Sequence, residues 1–566
     1  MRLLLVVFAG VLAGALTWLI AAAWPAAPVE RATLASVAFV PIWTALALAL
    51  LAGSRGARAG ALRRRLVALH FDLGGALVLI AIVVFGSGVG AVLDRSLTRW
   101  QLVHGPVEVP SLAEQPLDRV LASLVDDHPH LRQGELALHP ATPEQPWIQA
   151  DFLAADRSWA RVDFDPNSGE AVARGEGPLW VVRELHRRLL SPPILGETLL
   201  GLVGVALALV LLAGLATRRR WLRAAIRPAP ARASLAMRLH QWIGFGMLGP
   251  ALIWAWSGAL LGLTLLIVPI VERAAYSGDR AALMRDVLAS DRPAPIDEPV
   301  ALPDLQAIVA SGCPLVDEHL RGAEVHRVIV RHPGLASANV RVDVEGEDLR
   351  ERGSFTRTRA GVLRDCRALA DAGVGLQSFM LAIVLHYGDW GPWWVDLQYI
   401  VFGVALVALA WLGGSLLVRR RERSGAIAAA RRLRRGLVGV GLGLSLAVAA
   451  LVLLSRVPSL AREADLALAL FFGVWALALG LAFGGDLDRR RAVLLRSLAV
   501  ILLAVPIFGW LLAGRTPGAI EAAWVGLGLL GLRLAAQPTR PREPAEEHPQ
   551  PDPHHEQGEG RTDPAP

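Results

Sequence analysis

The chain lacks lysine altogether and has only two cysteines among its 566 residues, so all 57 basic residues are arginine. It also lacks a phosphate-binding P-loop, a dinucleotide-binding glycine fingerprint, a His-Glu-x-x-His zinc helix and a hydrolase nucleophile elbow. Any NADPH or flavin chemistry would therefore belong to another protein. Charged residues make up 19%, apolar residues 54%, and the mean hydropathy is +0.45, which excludes disorder, a collagenous fibre and an ordinary soluble enzyme.

Long apolar runs are the dominant feature of the sequence. A helix needs about 17 to 25 apolar residues to cross a hydrocarbon core of about 30 Å. The fold class predicted here is a polytopic α-helical membrane protein with about ten spans. A signal peptide is the alternative for the first run, but its length favours a retained helix. The predicted spans are 3–24, 33–53, 66–92, 194–216, 240–270, 396–418, 436–455, 467–484, 492–513 and 519–536.

Arginine is concentrated in three linkers between these runs. Residues 54–65 contain five arginines, 217–239 seven, and 419–435 eight against one glutamate. The positive-inside rule places these linkers in the cytoplasm. The long polar stretches 94–192 and 272–394 then lie outside, and both contain more acidic than basic residues. This predicts a multi-pass membrane protein with both termini cytoplasmic, in contact with membrane lipid, and the net charge of +7 is no indication of a nucleic-acid partner.

The middle of the chain repeats itself, because residues 62–98 align with 232–268 without a gap. The closing helices also match, since in both copies a Leu-His pair is followed, at the same spacing, by a glycine and then by three arginines. Such a parallel duplication predicts a pseudo-twofold four-helix core. The aligned residues are His70 with His240, Gly74 with Gly244, Ser87-Gly88 with Ser257-Gly258, His186 with His386, and Gly214 with Gly414.

This repeat predicts the domain organisation. Each unit consists of a helix, an extracytoplasmic α+β domain and a returning helix, and the remaining helices are peripheral. The predicted parts are two N-terminal transmembrane helices at 1–61, a first repeat at 62–220 with its outer domain at 94–192, a second repeat at 221–421 with its outer domain at 272–394, four C-terminal transmembrane helices at 422–536, and a disordered cytoplasmic tail at 537–566.

The two outer domains show short strand patterns after a helical segment. In the first, a helix is predicted near Leu117–Asp127, with strands around Glu135–His139, Ile148–Ala154 and Ser158–Asp165. In the second, the segment Pro303–Ala310 precedes strands at Glu324–Arg331 and Ala338–Val344.

Four of the fourteen histidines lie at helix ends, and the repeat reproduces all four. His70 and His240 follow cytoplasmic arginines, whereas His186 and His386 precede their spans on the outer side, roughly 20–30 Å away. The workable pairs therefore join the two repeats, His70 with His240 and His186 with His386. Two imidazoles fill both axial positions of a haem iron, which predicts two haems and a transmembrane electron path.

Glycines on the same helices are candidate cofactor-binding positions. Gly88 and Gly258 lie five helical turns beyond His70 and His240, at the level of the outer pair. Gly74 and Gly244, one turn from those histidines, would clear space for the inner haem. Gly214 and Gly414 would do the same from the closing helices. Helix packing and interfacial polarity are the alternative explanations for these glycines and histidines.

Cys313 and Cys366 both lie in the second outer domain. In an oxidising compartment a disulfide is the simplest interpretation, and a metal pair or redox-active thiols are the alternatives.

Three motifs resemble the PepSY-associated transmembrane helix family. They are the stretch Arg238–Gly244 with the Ser257-Gly258 pair, the turn Val162–Glu170, and the stretch Leu385–Gly391. The similarity covers roughly 62–421. It implies a bacterial inner-membrane protein with PepSY-like outer domains, two b-type haems bound by the four histidines, and reduction of an extracytoplasmic ferric siderophore in iron acquisition. The first copy departs from the pattern where Phe71-Asp72 follows His70.

The resemblance leaves several functions open. The electron donor could be a quinol or a cytoplasmic reductase. One alternative is a quinol-linked oxidoreductase similar to cytochrome b561, whose acceptor is not iron. The other is a haem-free membrane regulator whose PepSY-like domains bind a protease.

Overall fold

The computed structural model describes residues 2–52, 59–93, 108–143, 145–156, 159–172, 177–216, 234–288, 295–320, 323–346, 351–388, 390–391, 393–457, 460, 463–513 and 518–537. The predicted tail at 537–566 lies outside this part of the chain, apart from Gln537. The helices are α1 Arg2–Ala23, α2 Pro28–Ala52, α3 Ala59–Val92, α4 Leu117–Asp127, α5 Trp180–Arg188, α6 Pro193–Ala216, α7 Leu235–Gly246, α8 Leu248–Gly262, α9 Thr264–Tyr276, α10 Arg280–Leu288, α11 Leu305–Ala310, α12 Pro314–His319, α13 Val374–Tyr387, α14 Trp393–Arg423, α15 Ile427–Leu454, α16 Ala464–Phe483, α17 Leu487–Ala513 and α18 Ala519–Ala536.

The protein is a multi-pass membrane protein. Within the described residues, seven helices are long and apolar enough to cross a bilayer, namely α2, α3, α6, α14, α15, α16 and α17. The pair α7 and α8 gives an eighth if the two form one span bent by 63°. The sequence predicted ten spans, two more than these eight candidates among the described residues. The two that differ are α1 and α18, which are helical but are not among the candidate spans.

The bend between α7 and α8 has a local cause. Pro250 lies in the first turn of α8 and has no N–H to donate to the carbonyl of Gly246, against which its ring would also clash. The equivalent residue in the first repeat is Ile80, and α3 accordingly continues for 34 residues without a break. The predicted span at 240–270 is thus divided into α7, α8 and the start of α9.

Three helices and the bent α7–α8 pair, all from the two repeats, form the centre of the membrane region. Helix α3 packs against α6 and α14, α8 packs against α6, and α7 packs against α14. The opening and closing helices of one repeat therefore contact those of the other.

The remaining helices cover this centre on two sides. Helices α1 and α2 pack on each other, and α2 also packs on α6, α8, α9 and α13. On the other side, α15 packs against α3 and α14 and carries α16 and α17 on its outer surface, and α18 packs on α17.

The two segments predicted as outer domains form one eight-stranded antiparallel sheet, in the order β4-β3-β2-β1-β5-β6-β7-β8. The first four strands come from the first repeat and the last four from the second. The strands are β1 Glu135–His139, β2 Ile148–Leu153, β3 Trp159–Phe164, β4 Ala171–Val172, β5 Glu324–Arg331, β6 Asn339–Glu345, β7 Arg352–Thr358 and β8 Leu363–Ala368.

The two outer domains predicted as separate modules are therefore joined. Strand β1 pairs with β5, with Leu136 opposite Val330 and Leu138 opposite Val328. All four of these side chains are buried in one apolar core under α4, α11 and α12. Alone, each half would have an unpaired strand edge, β1 in the first half and β5 in the second. The pairing of these two strands covers both edges. A disulfide joins Cys313, before α12, to Cys366 in β8.

The predicted outer domain at 272–394 includes a segment that does not belong to the sheet. Its last part forms α13, an apolar helix of 14 residues that packs against α2 and α8. Ala382 of α13 is fully buried in the cluster formed with these helices. The returning arm of the second repeat is therefore a helix pair, α13 followed by α14, with His386 near the end of α13.

Candidate functional site

The four repeated histidines meet in two pairs across the repeats. The ring centroids of His70, on α3, and His240, on α7, are 6.3 Å apart with an interplanar angle of 66°. The centroids of His186, on α5, and His386, on α13, are 6.2 Å apart with an angle of 21°. Each pair takes one ring from each repeat, as the duplicated pattern predicts.

The two pairs lie at different levels of the molecule. Along α3, His70 belongs to the first pair, and Gly88, five helical turns further on, contacts the second. At a rise of about 5.4 Å per turn these levels are about 27 Å apart. A ligand held between one pair therefore cannot reach the other pair, and the site is two separate centres.

Each imidazole is oriented by a hydrogen bond from its Nδ1. The partners of His70, His186 and His240 are the backbone carbonyls of Val210, Val84 and Leu409, at 2.9, 3.0 and 3.2 Å. In every case the carbonyl belongs to a membrane helix of the same repeat, α6 for His70, α3 for His186 and α14 for His240. When Nδ1 donates to a carbonyl, Nε2 is left unprotonated with a free lone pair, which is the form in which histidine binds a metal.

His386 uses a different partner. Its Nδ1 is 3.0 Å from the hydroxyl oxygen of Ser257, and that hydroxyl donates to the carbonyl of Ile253 at 2.7 Å. Because the serine proton is already donated, the oxygen accepts from Nδ1–H of His386, which again leaves Nε2 free. In the first repeat the hydroxyl of Ser87 donates to Val83 in its own helix, at 2.7 Å.

A glycine on the facing helix contacts each ring. A β-carbon built at Gly214 would lie 3.0 Å from Cε1 of His70, and one at Gly413 would lie 3.1 Å from Cε1 of His240. The corresponding distance is 3.0 Å both for Gly88 against His186 and for Gly258 against His386. Any larger residue at these positions would push the imidazole away from its partner ring.

These contacts change the prediction for the glycines. Gly88 and Gly258 make room for the imidazoles themselves. Gly413, and not the predicted Gly414, is the counterpart of Gly214, because Gly414 faces Leu437 and Val78 instead. Both Gly413 and Gly414 line the cavity beside His70 and His240, as does Gly214, but only Gly413 contacts the His240 ring.

The ring separations match a shared metal ion. An imidazole nitrogen binds a first-row metal at about 2.0–2.1 Å, and with the ring centre about 1.1 Å behind it, two opposed rings have centroids about 6.3 Å apart. Within the described residues, no three His, Cys, Asp or Glu side chains group together in a way that could hold a metal ion. Two-imidazole centres therefore suit a metal whose other ligands come from a macrocycle, as in haem.

A cavity of about 330 Å³ adjoins the inner pair, within the size range of cofactor sites. Its lining is almost entirely apolar apart from both histidines and Gln241, whose Oε1 is buried without a hydrogen-bond partner. Gly74 and Gly244 both line this cavity. An apolar slot with two free imidazole nitrogens fits a flat, hydrophobic metal complex.

The arginines beside His186 have a protein partner. Arg183, Arg187 and Arg188 all form ion pairs with the buried carboxylate of Glu184. Arg187 also pairs with Glu197 at the start of α6. These contacts anchor α5 to its surroundings, so the arginines have a structural role beside the outer pair.

Sequence reasoning found the histidines but missed two parts of the site. The role of Ser257 was hidden because Ser87 occupies the same place in the repeat and bonds differently. Gly413 was hidden because it is adjacent to Gly414, and only the rotation of α14 decides which of them faces His240.

Comparison with known proteins places the chain in a family. Residues 67–420 match the model of the PepSY-associated TM region, which is more than half of the chain. The chain is also 30% identical over 389 residues to an uncharacterised protein of Pseudomonas aeruginosa, in an alignment covering 62% of this chain and 95% of that protein. The matched segment contains both histidine pairs, and the chain belongs to the PepSY-associated transmembrane family.

Proposed function

We propose that this protein is a di-haem electron carrier of the bacterial inner membrane, with both termini cytoplasmic, that reduces a ferric siderophore on the outer side. The observation that carries the proposal is the pairing of four imidazoles across the repeats, at 6.3 and 6.2 Å between centroids. Each ring has Nδ1 bonded, which leaves Nε2 available to bind a metal.

Interfacial polarity, the alternative explanation for these histidines, does not account for these contacts. A histidine that only lines an interface needs neither a glycine against its ring nor a partner ring at metal-bridging distance. Ionisable side chains within membrane helices are costly and tend to be functional. Here four histidines form two related pairs, and each ring has a hydrogen bond from its Nδ1 and a glycine against it.

A haem bound by two imidazoles would supply one-electron transfer at each centre. His70 and His240 would hold the inner haem, and His186 and His386 the outer one. Hydrogen bonds to Nδ1 raise the basicity of each ligand and fix its orientation. Gly88 and Gly258 keep the outer rings in place, and Gly214 and Gly413 the inner ones.

In this proposal electrons move from the cytoplasmic side to the outer side. A quinol or a cytoplasmic reductase would donate one electron on the side of the arginine-rich linkers, and a ferric chelate would accept it near His186 and His386 and become ferrous. Oxygen-rich cages suit Fe(III) and hold the larger, less charged Fe(II) poorly, so reduction releases the iron. The family resemblance supports the siderophore as the acceptor.

The test is the haem content of the purified full chain. We expect about two haems per protein with a bis-imidazole low-spin spectrum, and about one after His386→Ala or His186→Ala. His130→Ala, on the exposed part of the outer domain, is the matched control and should keep both. A colourless wild-type protein after expression with ample haem, or an unchanged haem content in His386→Ala, would refute the proposal.

The acceptor is tested separately. The reduced protein is mixed with a ferric trihydroxamate siderophore in the presence of a chromogenic ferrous chelator. We expect reoxidation of the haem with one ferrous ion formed per electron. If quinone reoxidises the haem-loaded protein but the ferric chelate does not, iron reduction is excluded. The protein would then still be an electron carrier, with another acceptor.

A further inference from the structure

The start of α13 is held by a residue far away in the sequence. The Glu30 carboxylate, at the start of α2, accepts a hydrogen bond of 2.7 Å from the backbone N–H of Gly375. A β-carbon at Gly375 would lie 2.6 Å from the Thr33 hydroxyl and 2.7 Å from the Glu30 carbonyl. Only glycine therefore lets the first turn of α13 lie directly on α2.

This contact stabilises α13 in two ways. A helix begins with backbone N–H groups that have no partner within the helix, and the Glu30 carboxylate satisfies one of them. The negative charge also interacts favourably with the positive end of the helix dipole. A helix as short as α13 gains little stability from its own hydrogen bonds, so such external contacts decide its position.

The other end of the same helix carries an outer ligand. His386 lies about 18 Å along the axis from Val374, the first residue of α13. Its ring is fixed by Ser257 and faces Gly258, both on α8. Between the ends, the buried Ala382 packs in the cluster that includes α2 and α8. Helix α13 is therefore a rigid rod, and a shift or rotation at Glu30 is carried to the imidazole.

The first repeat has no such contact among its described residues. Helix α5 begins at Trp180, its N-cap residue Leu179 forms no side-chain capping bond, and Val182 and Leu185 are buried against α15, α16 and α17. Helix α5 packs mainly on α3 and α6 of its own repeat and also on the C-terminal helices, whereas α13 packs mainly on α2 of the N-terminal pair and on α8.

We propose that Glu30 is a positioning residue for the outer centre, and that the α1–α2 hairpin serves to set the orientation of the His386 ring. This inference rests on the proposed haem ligation by His186 and His386. It assigns a role to helices that lie outside the matched family segment, which begins at residue 67.

The test compares three variants of the full-length protein. Glu30→Ala removes the acceptor, and Glu30→Gln keeps an oxygen acceptor without the charge. Glu521→Ala is the matched control, because Glu521 accepts from the backbone N–H of Gly518 at 2.9 Å in the same manner, at the start of α18. Haem stoichiometry, the low-spin electron paramagnetic resonance lines and a redox titration are measured for each.

We expect Glu30→Ala to shift the resonance line and the midpoint potential of one haem, with haem content falling from two towards one and the other haem unchanged. Glu30→Gln should restore the resonance line, and Glu521→Ala should match the wild type. Gly375→Ala, which moves α13 away from α2, should reproduce the Glu30→Ala spectrum. It replaces Glu30→Ala in the test if Glu30→Ala cannot be isolated.

An outer haem with unchanged resonance line and potential in both Glu30→Ala and Gly375→Ala would overturn the positioning role while leaving two-haem ligation intact. Equal changes at both haems would also overturn it, since a general loss of structure would then be the cause. A wild-type protein without haem would instead refute the proposed function itself.

Discussion

The two repeats agree in the residues that face each other and differ in what surrounds them. Each provides one inner and one outer histidine, a facing glycine for each ring, and a fixed Nδ1. The first has an unbroken α3 and a short α5 buried under the C-terminal helices. The second has the α7–α8 bend and the apolar α13 supported by α2.

This difference separates two kinds of constraint. A pair of rings that share one metal must be matched in position, so a change in one repeat requires a compensating change in the other. The supporting contacts need only hold each ring rigidly, and different helices can do so. The peripheral helices around the two repeats therefore differ, although they hold equivalent rings in place.

The largest expected effect comes from filling the glycine contacts. Gly258→Val places extra carbons against the ring of His386, and Gly88→Val does the same to His186, so each should reduce the haem content from two towards one. Gly249→Val is the control, because a β-carbon there has no neighbour within 4 Å. Pyridine haemochrome analysis measures the ratio of haem to protein. An unequal loss of haem in the first two variants would show that the two outer rings are not equivalent.

The outer sheet shows the next difference, since only its second half contains a disulfide. Replacing Cys313 and Cys366 with serine opens a loop with a sequence separation of 53 and should destabilise the sheet by about 2–4 kcal/mol. Haem content should stay at two, because neither cysteine contacts a histidine pair. Chemical unfolding of the variant, compared with the oxidised wild type, measures the loss. Identical unfolding midpoints would show that the bond does not constrain the sheet.

The first half of the sheet has an acid-sensitive cluster instead. Burial raises the pKa of Asp151, but hydrogen bonds and charge from His139 and Arg161 outweigh this and hold the pKa at about 2. Because the folded pKa lies below the unfolded value of 3.8, this stabilisation is present above about pH 4 and is lost as the pH falls towards 2. Its size is about 2 kcal/mol.

Unfolding of wild type and Asp151→Asn should therefore differ at pH 6 and converge between pH 4 and pH 2. A constant difference over that range would contradict the assignment.

The smallest expected effect distinguishes the two serines. Ser257→Ala removes the acceptor for Nδ1–H of His386, whereas Ser87→Ala removes only a bond within its own helix. We expect the first to shift the spectrum and potential of the outer haem with both haems retained, and the second to leave both unchanged. Redox titration of the two variants side by side measures this, and equal shifts would mean that the serines act through helix packing.

Most of the site's composition was accessible from sequence, because a duplication marks functional residues twice. His70 and His240 stand out since they repeat with Gly74 and Gly244 at identical spacing. The helix α4 and the strands β1 and β5 were predicted with the bounds that the structure shows. Strands β7 and β8 were missed, since their charged side chains give little alternation of apolar and polar residues.

Other features depend on contacts that no local pattern encodes. The pairing of β1 with β5 joins strands from different repeats, and the bond from Gly375 to Glu30 connects residues still further apart in the chain. Helix α13 was assigned to the outer domain because it is too short to cross a bilayer alone. Which of Gly413 and Gly414 faces His240 depends on the rotation of α14.

The sequence by itself determined the membrane helices, the duplicated halves and the four histidines, because hydropathy and repetition are local properties of the chain. The tertiary structure alone decided how close the rings of each predicted histidine pair lie and which groups fix them, that one sheet unites the outer segments, and that different helices support the two outer rings. Ring separation and hydrogen-bond partners are set by how helices pack, and packing depends on the whole set of contacting surfaces at once.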